Sequence, residues 1–225
     1  MAYDIRDSAS LEFLREYVQG VAAGLEAYDE VAAQAAAWLT FFDKLTAARD
    51  SRDSARFLRV RTIRRYNVLK AKFLGEVTEL SGHAYLLSGK DATKPPYATI
   101  FKGRKAEDLK PLGFNNLKDQ ATALFAAAES ANVAVLGPAL TDLRASFDRV
   151  IAAGEAKKAA RLALIAHETT RASLVVACEE LGDTTEAAIL GALPGRNDLV
   201  RLILSPSLDT SPADKKENED PAPQP

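Results

Sequence analysis

Two histidines, one cysteine and a dense run of arginines and lysines are the side chains of this 225-residue chain whose types and spacing bear on chemistry. His83 and His167 are too few for a hemerythrin-like di-iron site, which needs several imidazoles. A ferritin-like carboxylate centre takes a Glu-x-x-His from each of two helices, but Leu80 and Leu164 stand three residues before the two histidines. Glu79 lies one helical turn from His83, and Arg171 one turn from His167, so each imidazole has a neighbour that solvates or pairs with it without a metal. Cys178 is surrounded by Val175, Val176 and Ala177 near the C-terminal end of an expected helix. That is the wrong end to depress a thiol pKa, and the residue reads as a small hydrophobe. Neither GxxxxGK[ST] nor GxGxxG occurs, so no phosphate-cradling loop is marked. The expectation is a protein with no enzymatic, metal or cofactor site.

The cations carry more colour. Residues 1–48 have a net charge of −5 and residues 49–110 a net of +8, while 111–208 and 209–225 contribute −2 and −3. The densest stretch holds Arg52, Arg56, Arg59, Arg61, Arg64, Arg65, Lys70 and Lys72, with Arg49 just before it. Lys102, Arg104 and Lys105 add a second group downstream. Many cations on one accessible helix face are what binding to phosphates or to another anionic surface requires. The competing reading is internal, because the preceding helix carries Glu12, Glu16, Asp29, Glu30 and Asp43 and could neutralise much of the cluster.

These residues sit on elements of clear helical pattern. Leu11, Leu14, Val18, Val21, Leu25, Tyr28, Ala32, Ala35, Leu39 and Phe42 alternate three and four apart, a heptad-like seam that predicts one rod over residues 11–49. Ser8 or Ser10 would cap it, and Gly20 and Gly24 invite close approach by a neighbour. After a polar break at Asp50-Ser51-Arg52-Asp53, a second helix is expected over 54–87 with Leu58, Thr62, Tyr66, Leu69, Phe73, Val77 and Leu80 inward. Prolines and glycines between 88 and 116 predict a long irregular crossover, with 97–102 a short strand or extended lid. A third helix follows from Leu117, with a kink or restart at Gly137-Pro138. Gly154 marks a turn to a fourth helix over 155–181, with Leu162, Ile165, Thr169, Ala172 and Val176 inward. Asp183 and Glu186 would cap a short helix ending near Ala192, and 198–204 supplies a last turn or two.

The expected fold is therefore all-α: an elongated antiparallel four-helix bundle of two αα-hairpins, 8–87 and 117–182, joined by the 88–116 crossover loop. Short helices over 183–204 complete a single domain over 1–204. Residues 205–225, rich in proline and acidic side chains, predict a disordered tail. The lone cysteine and the polar start point to a cytoplasmic compartment, and no apolar run reaches the roughly 20 residues needed to span a bilayer.

Long heptad faces, few aromatics and a tethering tail favour a non-enzymatic scaffold, assembly or protein-interaction subunit, whose partner is a protein, either another copy of this chain or a different subunit. The alternative is a binder of nucleic acid or another anionic surface through residues 52–72, helped by Lys102, Arg104 and Lys105. A third reading is a bundle enzyme or ligand carrier with its site under the loop over 95–114.

Overall fold

The computed structural model describes residues 9–205, and within them the chain is all-α, with no strand among the described residues. The helices are α1 (Leu11–Glu26), α2 (Ala32–Leu87), α3 (Tyr97–Phe101), α4 (Phe114–Ala131), α5 (Gly137–Ala192) and α6 (Asn197–Leu204). Short 3₁₀ turns occupy Ala106–Leu109 and Ala134–Leu136. The expected tail lies outside the described residues apart from Ser205, as does Ser8. No helix among the described residues is long and apolar enough to cross a membrane.

The chain divides into two compact units. Unit 1 comprises Met1–Ser54 and Ile165–Pro225, and unit 2 comprises Ala55–Leu164.

In unit 1, the Ser10 side chain caps α1 by accepting from the Phe13 N–H at 3.0 Å, and Leu11, Leu14, Val18, Val21 and Leu25 are buried as the seam expected. The rod over 11–49 does not form. The chain turns at residues 27–31, where the Val31 N–H reaches the Tyr28 carbonyl at 3.0 Å, and α1 folds back antiparallel on the start of α2. Tyr17 meets Trp38 edge-on with ring centroids 5.9 Å apart, Arg15 donates to Thr46 at 3.0 Å, and Arg52 reaches Glu12 at 2.7 Å. Folding back buries two apolar faces on each other, which one straight helix cannot do. After the turn the buried phase is Ala35, Trp38, Phe41 and Leu45, while Leu39 is exposed.

Nor does α2 break at residues 50–53. Asp, Ser and Arg are tolerated in a solvated helical turn, whereas only Gly or Pro would strongly disfavour it. Arg49 and Arg52 bind Asp50 and Asp53 there at 2.8 and 3.1 Å.

The centre of unit 1 is Trp38, fully buried, whose indole N–H donates to Thr185 Oγ1 at 2.8 Å. The Tyr17 hydroxyl donates to the Leu204 carbonyl at 3.0 Å and ties α6 to α1. Gly24 faces Ile203 of α6, and a Cβ there would stand 3.4 Å from that side chain, an ordinary contact. Gly20 faces open space. Asp183 caps nothing, because α5 runs straight through it to Ala192.

In unit 2, α2, α4 and α5 surround a core of Phe73, Phe125 and Phe147, with centroids 5.4 Å apart for both pairs that Phe147 makes. Phe73 faces Phe147 while Lys157 lies over Tyr66 at 4.6 Å, so α2 and α5 run antiparallel here. The crossover is more ordered than expected. Residues 97–101 form helix α3, not a strand or lid, with Ile100 and Phe101 buried, and α4 begins at Phe114. Asn132 ends α4 in a left-handed conformation, and α5 restarts at Gly137 with Pro138 in its first turn, where proline is accommodated.

Gly154 makes no turn. It lies inside α5 with the Phe114 ring packed where a Cβ would be. Gly154→Ala should therefore destabilise unit 2 by about 1–3 kcal/mol through overpacking, despite the ~1 kcal/mol gain in helix propensity. Chemical denaturation of the two proteins checks the sign.

Candidate partner-binding faces

The position of the first turn decides what happens to the cationic cluster. Because α1 folds back from residues 27–31, its N-terminal end meets α2 at Arg52. Arg52 is accordingly paired with Glu12 and Asp53, and the hydrogen bond it donates to Glu12 raises its pKa while lowering that of the carboxylate. Lys70 is also committed to structure. It donates to the carbonyls of Lys110 and Leu112 at 2.9 and 2.7 Å, and burial, with Lys157 nearby, lowers its pKa. Lys72 lies 3.9 Å from Glu76.

Arg56, Arg59, Arg61, Arg64 and Arg65 are different. All five are exposed, and none forms an ion pair among the described residues. Internal neutralisation, then, consumes Arg52 and leaves these arginines to solvent.

They do not stand alone on α2. Phe57, Arg61, Arg64, Val68 and Lys72 recur at helical spacing on the side opposite the buried Tyr66, Phe73 and Val77. Phe57 is 72% exposed and Val68 68%, with Val60 beside them. Leu58, expected inward, is also exposed. The spacing of Phe57 and Val68 off the Tyr66–Phe73 stripe was the available sign of this second apolar row. A face with both arginines and large apolar side chains offers charge and area together.

Unit 1 carries a face of opposite sign on α5. The stripe expected inward, Leu162, Ile165, Thr169, Ala172 and Val176, is exposed along its whole length, the first of these residues belonging to unit 2. The buried phase is instead Val175, Cys178, Thr185 and Ile189, because that row meets Trp38. Within unit 1 the outward row continues into Glu180 and Asp183, both exposed and without an ion pair among the described residues.

Lys102, Arg104 and Lys105 are not brought onto the α2 face. They line a cavity between the segment after α3 and helix α4, with Asn116 and Gln120 on its other side. Cys178 is fully buried in unit 1, and burial pushes its thiol up to about 12, consistent with an inert packing role. His83 is exposed, and no cluster of three His, Cys, Asp or Glu able to hold a metal occurs among the described residues.

Comparison with known proteins adds no further guide: no family, curated protein or solved structure matches the chain.

Proposed function

We propose that the protein is a non-enzymatic assembly subunit that associates with further copies of itself. The cationic, apolar face of α2 in unit 2 seats on the acidic, apolar face of α5 in unit 1 of another copy. The observation that carries this reading is the partition of charge between units. Residues 55–164 hold 19 Lys and Arg against 10 Asp and Glu, a net of +9, whereas the described part of unit 1 holds 7 against 14, a net of −7. The overall net of −2 conceals two strongly and oppositely charged units.

Each face also exposes aliphatic or aromatic side chains in a row, Phe57, Val60 and Val68 on one and Ile165 and Val176 on the other. Burying them supplies the affinity, and the charges supply orientation and exclude like-with-like pairing. Helices running side by side through each unit suit such a bundle-type framework. A contact between two different faces is heterologous, so it propagates into rings or open chains.

Light scattering across concentration at about 50 mM and about 500 mM NaCl tests the reading, since the exposed charges are screened over that range. Species larger than a monomer are expected at low salt, with a shift toward monomer at high salt. A monomer at every concentration and both salt levels would refute it.

A second reading, an anionic surface such as nucleic acid, draws support from the same five free arginines. Val60 and Val68 argue against it as the main role, because phosphate contacts make no use of large aliphatic side chains lying among the cations. Salt-sensitive binding to duplex DNA that disappears in Arg59→Ala/Arg64→Ala/Arg65→Ala would favour it.

A further inference from the structure

We propose that the cavity of unit 2 between the segment after α3 and helix α4 binds a small organic anion with an apolar body, the anionic head at Lys102, Arg104 and Lys105. The cavity encloses about 480 Å³, within the range of small-molecule pockets. Its volume accommodates a medium-chain acyl group or a fused aromatic pair.

The two ends of the cavity differ in chemistry. Its floor is apolar, built from side chains such as Phe101, Leu109 and Leu124, all buried. Its rim carries the three cations, all exposed, and none of them forms an ion pair among the described residues. Asp108 is the one carboxylate in the lining. It is already engaged, accepting from the Lys105 backbone N–H at 2.8 Å, where it caps the Ala106–Leu109 turn. The rim therefore keeps a positive excess directed at whatever enters.

A further sign comes from Gln120. It lines the cavity from α4, and its Oε1 is buried with no hydrogen-bond partner among the described residues. With that oxygen turned into the protein, the Gln120 NH₂ is the end of the amide left to donate to an anionic head in the cavity. Apolar floor, cationic rim and a convergent amide select an amphiphile bearing one negative group over a neutral lipid or a free inorganic ion.

NMR titration of the full-length protein with decanoate, decyl phosphate and decanol, each below its aggregation limit, tests the proposal. Decanoate or decyl phosphate should cause saturable shifts confined to the amides of residues 100–112 and 116–127, and whichever binds more tightly identifies the head group. Decanol should bind at least about tenfold more weakly, as should either anion to Lys102→Glu/Arg104→Glu/Lys105→Glu, whose exposed positions leave the fold intact. Ala123→Trp, which projects from an exposed helical position over the cavity, should block all three. Equal binding of decanol and decanoate, indifference to the triple reversal, shifts centred on residues 56–68, or no shift at all would each overturn it.

Discussion

Reversing Arg61, Arg64 and Arg65 to glutamate is expected to weaken self-association at low salt by about a hundredfold or more, with no loss of thermal stability. The three guanidinium groups are exposed and none holds an ion pair among the described residues, so their reversal breaks no such pair there. In the proposed assembly the same change converts the most cationic part of α2 into an acidic patch facing Glu180 and Asp183 of the neighbouring copy, where attraction becomes repulsion. Sedimentation velocity reads the association and differential scanning fluorimetry the stability. The contrast with Arg52 is instructive. Arg52→Glu would break contacts to Glu12 and Asp53 within unit 1 and should affect stability more than association. If the triple reversal unfolded the protein, those arginines would be structural, and the exposed face could not be assigned to a partner.

Trp38→Ala should cost about 3–5 kcal/mol, a large share of the 5–15 kcal/mol typical of a domain. Three losses combine at that position. A side chain buried completely leaves a large void, the edge-on contact with Tyr17 disappears, and Thr185, itself fully buried, loses the indole donor. Trp38→Phe retains most of the volume and should cost less, about 1–3 kcal/mol, chiefly through the lost hydrogen bond. Hydrogen exchange locates the damage: amides of unit 1 should exchange faster, while those around Phe73 and Phe147 keep their protection. Equal loss of protection in the two units would show that they unfold as one.

Much of the helical content was legible from apolar spacing, and the capping of α1 by Ser10 from residue type alone. Helix phase and helix ends were less so, and the reason recurs. Trp38-Leu39, Phe41-Phe42 and Val175-Val176 place apolar side chains on two adjacent rows, so an unbroken seam can be drawn through a turn, or on the wrong side of a helix. Only the partner across the core selects a row: Trp38 contacts Thr185, which fixes Val175 and Cys178 inward and Val176 outward. The turn at residues 27–31 contains neither glycine nor proline, so nothing local announces it. Conversely, Gly154 looked like a turn because its real reason, the Phe114 ring, lies 40 residues earlier in the chain.

The cationic cluster was visible as composition, but its exposure was not. Exposure depends on where α1 folds back, and with the turn at 27–31 the acidic helix reaches Arg52 and stops. The three loop cations were likewise visible. Their separation from the α2 arginines depends on α3 forming and on α4 placing Gln120 beside them, neither of which residue types alone dictate.

Opposite charge on two faces of one chain can be tested with two reversed proteins and one sedimentation experiment. Arg61→Glu/Arg64→Glu/Arg65→Glu has two acidic faces, and Glu179→Lys/Glu180→Lys/Asp183→Lys has two basic ones. Each alone should sediment as a monomer at low salt, and an equimolar mixture should form larger species that dissociate at high salt. Association of either reversed protein by itself, or a mixture that remains monomeric while the native chain assembles, would contradict pairing between these faces.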